Sequence, residues 1–140
     1  SFQKTRLDQF KTLSWMKNVL ENRLSNEYDD CVLYDNELAI LETSRSNVLF
    51  VQDNTLIVPK HSFILEGIVR NVIAKQAVQF GFDKCCERYV FKEELTEFDE
   101  VFLTNSLRGV CLVDSLKGTH LKSKSVSLRL QQQYLEYVRS

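Results

Sequence analysis

Proline and glycine are scarce in this chain of 140 residues, which holds one of the former and four of the latter. That excludes collagen-like repeats and proline-rich disordered character. Histidine is equally sparse, with only His61 and His120, and the four cysteines (Cys31, Cys85, Cys86 and Cys111) make no C-x-x-C pair. Zinc-ligand spacing is therefore absent, and no metal is expected. The thiols read as small buried or half-buried groups in a reducing cytoplasm, the expected location. An excess of one charge is also missing. Eighteen basic residues against nineteen acidic ones leave a net charge of −1, which argues against nucleic acid or an anionic membrane as partner. No apolar run approaches the ~20 residues needed to span a bilayer, and no signal-peptide pattern is present.

What is there is ordinary globular composition, 44 % hydrophobic and 26 % charged. A single domain over residues 1–140 is expected, with a core that needs no disulfide. Leu13, Met16, Leu20 and Leu24 recur at helical spacing and predict a helix from about Thr12 to Asn26. Short strand-like runs follow at 30–34, 38–41, 46–51 and 55–58, with Asp53-Asn54 as a hairpin signal and Pro59 as a stop. Together they predict a four-stranded antiparallel meander. Ile68, Val72, Ile73, Ala77 and Phe80 predict a second helix, from Gly67 to Gly81. Further strands are expected at 86–91, 101–104 and 109–113, a short helix at 92–95, and a closing amphipathic helix at 124–138. Strands clustered in hairpins, mixed with helices, favour an α+β fold over a doubly wound parallel sheet.

The chain holds no P-loop, no G-x-G-x-x-G, no G-x-S-x-G and no H-E-x-x-H. Four other strings occur in order. The first is Phe10-Lys-Thr-Leu-Ser-Trp-Met-Lys-Asn-Val-Leu20, and the second Leu41-Glu-Thr-Ser-Arg-Ser-Asn-Val-Leu-Phe-Val51. Leu56-Ile-Val-Pro59 comes next, with Ile64-Leu-Glu-Gly-Ile-Val-Arg70 close behind. The last is Asp99-Glu-Val-Phe-Leu-Thr-Asn-Ser-Leu-Arg-Gly109. In this order and separation they resemble the class IV, or fold type IV, pyridoxal-phosphate enzymes. That family includes the branched-chain and D-amino-acid aminotransferases and aminodeoxychorismate lyase.

The resemblance implies an α+β cofactor domain of antiparallel-rich strands, a pseudo-barrel, with flanking helices. Lys11 matches the Schiff-base lysine, which anchors pyridoxal 5'-phosphate and then acts as the base that moves the substrate α-proton. Glu42 matches the carboxylate facing the pyridine nitrogen, where negative charge keeps that nitrogen protonated. Gly67, Ile68 and Val69 match a helix N-terminus whose amides hold the cofactor phosphate. Ser106 matches a hydroxyl that also reaches the phosphate, with Asn105 beside it, while Asn47 reads as a support for its own loop. The family often has Pro at the position of Glu66 and Thr at that of Val69, so one hydroxyl contact is lost there.

The last family string usually reads Gly-Thr-Ala in the aminotransferases; Asn105-Ser106-Leu107 is more similar to the aminodeoxychorismate lyases. The resemblance thus implies release of pyruvate from 4-amino-4-deoxychorismate, forming 4-aminobenzoate for folate synthesis. A branched-chain or D-amino-acid aminotransferase is the alternative, and a non-catalytic scaffold or truncated domain the alternative of another class. Only ten residues precede Lys11, so the chain resembles the larger C-terminal half of the family without its small N-terminal domain. The isolated chain is accordingly expected to bind cofactor weakly and turn over poorly. A small-molecule substrate and a homodimer are the partners the family implies.

Overall fold

A computed structural model describes residues 32–116, 119–121 and 123–140. The helix expected from Thr12 to Asn26, together with Lys11 and Cys31, lies outside the described residues. Strands β1 (Val32–Tyr34) and β2 (Ile40–Thr43) pair antiparallel. The turn between them is held by Asp35, whose Oδ1 accepts the N–H groups of Glu37 and Ala39, each at 2.9 Å.

The chain then enters a five-stranded sheet. β3 (Asn47–Gln52) and β4 (Thr55–Pro59) form a hairpin. Asp53 and Asn54 both take positive φ, 50° and 58°, the backbone of the tight turn that matches strand twist. Helix α1 (Ile68–Lys75) leads to β5 (Lys84–Arg88), which lies parallel to β4. A helical crossover is what a parallel neighbour requires. A 3-10 helix (Lys92–Thr96) precedes β6 (Glu100–Asn105), which pairs antiparallel with β3 and with β7 (Gly109–Leu112). The order across the sheet is β5-β4-β3-β6-β7. A small pair, β8 (Ser115–Leu116) and β9 (Thr119–His120), and helix α2 (Ser125–Arg139) follow.

Both faces of the sheet are covered. Leu49 and Val51 face Val69 and Ile73 of α1 and Leu130 and Tyr134 of α2 in one cluster. Val48 and Phe50 face Ile40, Val90, Leu95 and Phe98 in another. Burial on both sides explains why β3 reads as a nearly continuous apolar run. Among the described residues, no helix is long and apolar enough to cross a membrane, and no group of three or more His, Cys, Asp or Glu side chains is placed to hold a metal ion.

The α+β expectation holds, with β4–β5 the one parallel pair among the described ladders. Three local expectations are corrected. The four-stranded meander is two separate pairs, because β3 is flanked on its two edges by β4 and β6, leaving no place for β2. The helix predicted to reach Gly81 ends at Lys75. Beyond it Ala77, Phe80 and Phe82 all turn into the core, a spacing no straight helix presents on one face, and the chain is closed by the bond from Phe82 N–H to Ala77 O, 3.1 Å. The strand predicted at 86–91 starts two residues earlier and ends three earlier, at Arg88, where the parallel ladder from Thr55↔Lys84 to Pro59↔Arg88 sets its register.

Candidate functional site

Three segments of the chain meet in one concavity of about 230 Å³. The end of β2 and the turn after it contribute Glu42 and residues through Asn47; the start of α1 contributes Leu65 and Gly67–Arg70; the end of β6 contributes Thr104, Asn105 and Ser106. Each segment is fixed for a local reason. The β2–β3 turn closes through Thr43, whose Oγ1 donates to Ser46 O at 3.0 Å and accepts from Ser46 N–H at 2.9 Å. The Asn47 carboxamide sits on that turn and holds the run-up to α1. Its Nδ2 donates to Leu65 O at 2.8 Å, and its Oδ1 accepts Gly67 N–H at 3.1 Å. Glu42 assists, Oε1 accepting Leu65 N–H at 2.8 Å.

Helix α1 opens on Gly67 without a side-chain cap and with no acidic residue in its first turn. The first intrahelical bond runs from Asn71 N–H to Gly67 O. The N–H groups of Ile68 and Val69 are thus among those an α-helix cannot satisfy itself, and they carry the positive end of the helix dipole. The side chain of Val69 is buried in the core beneath α1, which leaves its N–H as the group it offers. Arg70 is 3 % exposed and turned inward, Nη2 donating to Pro59 O at 3.2 Å and Nη1 to Asn71 Oδ1 at 2.8 Å. With Glu66 and Glu87 at 3.9 and 3.7 Å it is an ion-pair residue that pins α1 to β4.

Asn105 ties β6 to the opposite wall. Its Nδ2 donates to Ser46 Oγ at 2.9 Å, and its Oδ1 accepts Arg108 N–H at 2.7 Å. Its carboxamide is therefore engaged within the fold at both ends. Ser106 is exposed at the rim. Beside Asn105, burial pushes the Cys111 thiol up, against the opposing effects of Arg108 and the Asn105 amide.

All the described residues named from the sequence strings as cofactor-binding (Glu42, Gly67, Ile68, Val69, Asn105 and Ser106) line this one concavity; Lys11 lies outside the described residues. A wider depression between α1 and β5, about 560 Å³ and lined by Asn71, Ala74, Lys75, Cys85 and Glu87, holds none of them. Thr104 is among the lining residues that were not singled out. Thr104 Oγ1 is buried without a hydrogen-bond partner among the described residues. The available signal was strand alternation, which places Thr104 on the α1 side with Phe102. Uncapped helix amides and an unpartnered buried hydroxyl make a donor set that suits an oxygen-rich anion, and a phosphate-bearing cofactor fits it.

The family model described as "Amino-transferase class IV" matches residues 3–116. The chain belongs to that family. It is 27 % identical over 123 residues to the branched-chain-amino-acid aminotransferase of Pseudomonas aeruginosa, covering 86 % of this chain and 40 % of that protein. It is 37 % identical over 111 residues to the mitochondrial branched-chain-amino-acid aminotransferase 1 of Arabidopsis thaliana, covering 76 % of this chain and 29 % of that one. Among solved structures, the branched-chain amino acid aminotransferase of Escherichia coli superposes with a TM-score of 0.73 at 28 % identity, over 80 % of this chain and 38 % of that one. A T.th. branched-chain amino acid aminotransferase, complexed with N-(5'-phosphopyridoxyl)-L-glutamate, superposes with a TM-score of 0.76 at 28 % identity, over 89 % and 43 %. The fold is that of these enzymes. The chain spans less than half the length of each of the four.

Proposed function

We infer that this chain is the cofactor-holding portion of a pyridoxal-phosphate-dependent aminotransferase acting on branched-chain amino acids. One observation carries the reading: residues 25 and more positions apart, named from separate family strings, converge on one concavity at the N-terminus of α1. The substrate class rests on the relatives, which are branched-chain enzymes. They favour the aminotransferase alternative over the lyase expected from Asn105-Ser106-Leu107. The lyase stays as the second reading because Asn105 is built into the wall of the site through Ser46, where the aminotransferase string has Gly.

When bound, pyridoxal phosphate supplies an electron-poor pyridine ring that stabilises negative charge at the substrate α-carbon. The chain's residues have separate tasks. The amides of Ile68 and Val69 and the Ser106 hydroxyl hold the phosphate. The Glu42 carboxylate keeps a proton on the ring nitrogen. The Lys11 amine anchors the aldehyde and afterwards takes the α-proton of the substrate. Assembly as one cofactor-side domain, and pairing into a homodimer, belong to the same proposal.

The test supplies the complete gene product with pyridoxal phosphate, L-leucine and 2-oxoglutarate. Glutamate and the branched 2-oxo acid are expected. Release of pyruvate and 4-aminobenzoate from aminodeoxychorismate, without transamination, would establish the lyase instead.

A further inference from the structure

We propose that Thr104 is a phosphate-contact residue of this site, its hydroxyl donating to the bound phosphate from the strand wall opposite the amides of α1. The proposal deepens the cofactor reading and rests on it.

Thr104 is 1 % exposed, and its Oγ1 has no hydrogen-bond partner among the described residues. A buried hydroxyl in that state is costly, and native interiors rarely retain one without a reason. Valine has nearly the same shape, suits a strand equally well, and would leave nothing unsatisfied. The residue directly across the ladder is Asn47. Its oxygen lies in the same layer, yet it accepts from Gly67 N–H and not from Thr104. Thr104 is itself one of the residues that line the concavity, together with Gly67, Ile68 and Val69. Two independent features thus border one space: eight-residue α1 opening without a side-chain cap, and a buried residue whose hydroxyl has no partner among the described residues. A ligand satisfying both must present several acceptor oxygens and carry negative charge. A phosphate monoester does so; a carboxylate has fewer oxygens to share between two walls. One ordered water between hydroxyl and phosphate would serve the same end, and replacing Thr104 removes either arrangement.

The decisive experiment compares pyridoxal 5'-phosphate with pyridoxal, which lacks the phosphate, in equilibrium titrations of wild type, Thr104→Val and Thr104→Ser. Inorganic phosphate is titrated alongside by thermal shift. Removing a hydrogen bond to a charged group is expected to weaken pyridoxal 5'-phosphate binding in Thr104→Val roughly ten-fold or more. Pyridoxal binding should not change, and Thr104→Ser should restore the affinity. Without ligand, Thr104→Val should melt no lower than wild type, because the group removed was unsatisfied. A hydroxyl that only supports the fold would do the reverse, lowering the melting temperature and leaving the preference for the phosphorylated form intact. An undiminished preference in Thr104→Val overturns the assignment of Thr104 alone. Wild type that neither prefers the phosphorylated cofactor nor is stabilised by phosphate overturns the cofactor reading with it. Thr104→Ala carries the same expectation for the preference, should the valine variant fail to fold.

Discussion

The Asn47 side chain lies so close to Gly67 that a Cβ added there would sit 2.7 Å from Asn47 Oδ1. The φ of Gly67 is −69°, which any residue adopts. Glycine is required by this approach and not by backbone conformation. The bridge from Asn47 to Leu65 O and Gly67 N–H sets where α1 begins. Gly67→Ala should therefore destabilise the fold by about 1–3 kcal/mol through overpacking and weaken cofactor binding. In Asn47→Ala the alanine methyl at 67 has room, so the double variant should be less destabilised than the sum of the singles. Urea unfolding of the four proteins measures that difference; strict additivity would show that the two side chains do not meet.

Asp35 and His61 form a second clasp. His61 Nδ1 accepts Phe63 N–H at 3.1 Å, so Nε2 carries the hydrogen directed at Asp35 Oδ2, 2.9 Å away. This ties the β1–β2 turn to the segment that leads into α1. Burial pushes the Asp35 carboxyl up, but hydrogen bonds from Ala39 N–H, His61 and Glu37 N–H outweigh it and hold the group below its ordinary value of 3.8. In the interval between the lowered pKa and 3.8 the unfolded chain binds more protons, so stability rises with pH. The contribution is complete above that ordinary value and is lost as pH falls through the folded one. Asp35→Asn should cost about 1–3 kcal/mol at pH 7 and flatten this part of the acid limb. Unfolding free energy measured against pH checks both.

Glu100 caps α2 from a distance. The residue is 2 % exposed, and its Oε1 accepts Ser127 N–H and Oγ–H, each at 2.7 Å. Its Oε2 accepts Val126 N–H at 3.0 Å and Ser123 Oγ–H at 3.1 Å. A carboxylate here satisfies helix amides that Lys124, the N-cap, leaves without a side-chain partner. Glu100→Ala strands those donors and should lower stability by about 3 kcal/mol or more. Because α2 covers the core and not the concavity, the residual folded protein should keep its ligand affinity. Thermal melts and cofactor titration of the same sample separate the two effects.

The parts of this architecture that were readable in the sequence are those set by neighbours along the chain. Asp53-Asn54 announced the β3–β4 turn because two positive φ values need such residues. The amphipathic pattern at 124–138 announced α2, whose buried face carries Leu130 and Tyr134. What was missed depends on contacts distant in sequence. The place of β6 beside β3 joins residues 47–51 to 100–104, and nothing local distinguishes that from a meander with β2. The candidate site residues were named through family strings, not through periodicity, and the described ones line one concavity. Glu100 sat inside one of those strings, yet its role needs α2, some 25 residues on. Thr104 was hidden in the same string, since an unsatisfied hydroxyl is a property of packing and not of composition.

The central claim is that Lys11 holds the aldehyde of pyridoxal phosphate in the site built by Glu42, the start of α1 and the end of β6. The direct measurement incubates the 140-residue chain with pyridoxal phosphate, reduces it with borohydride and locates the phosphopyridoxyl group by peptide mass spectrometry. The account predicts one dominant modified residue, Lys11, with labelling suppressed when the Gly67→Ala substitution disturbs the phosphate end. Modification spread evenly over surface lysines, or confined to one other than Lys11, would contradict it.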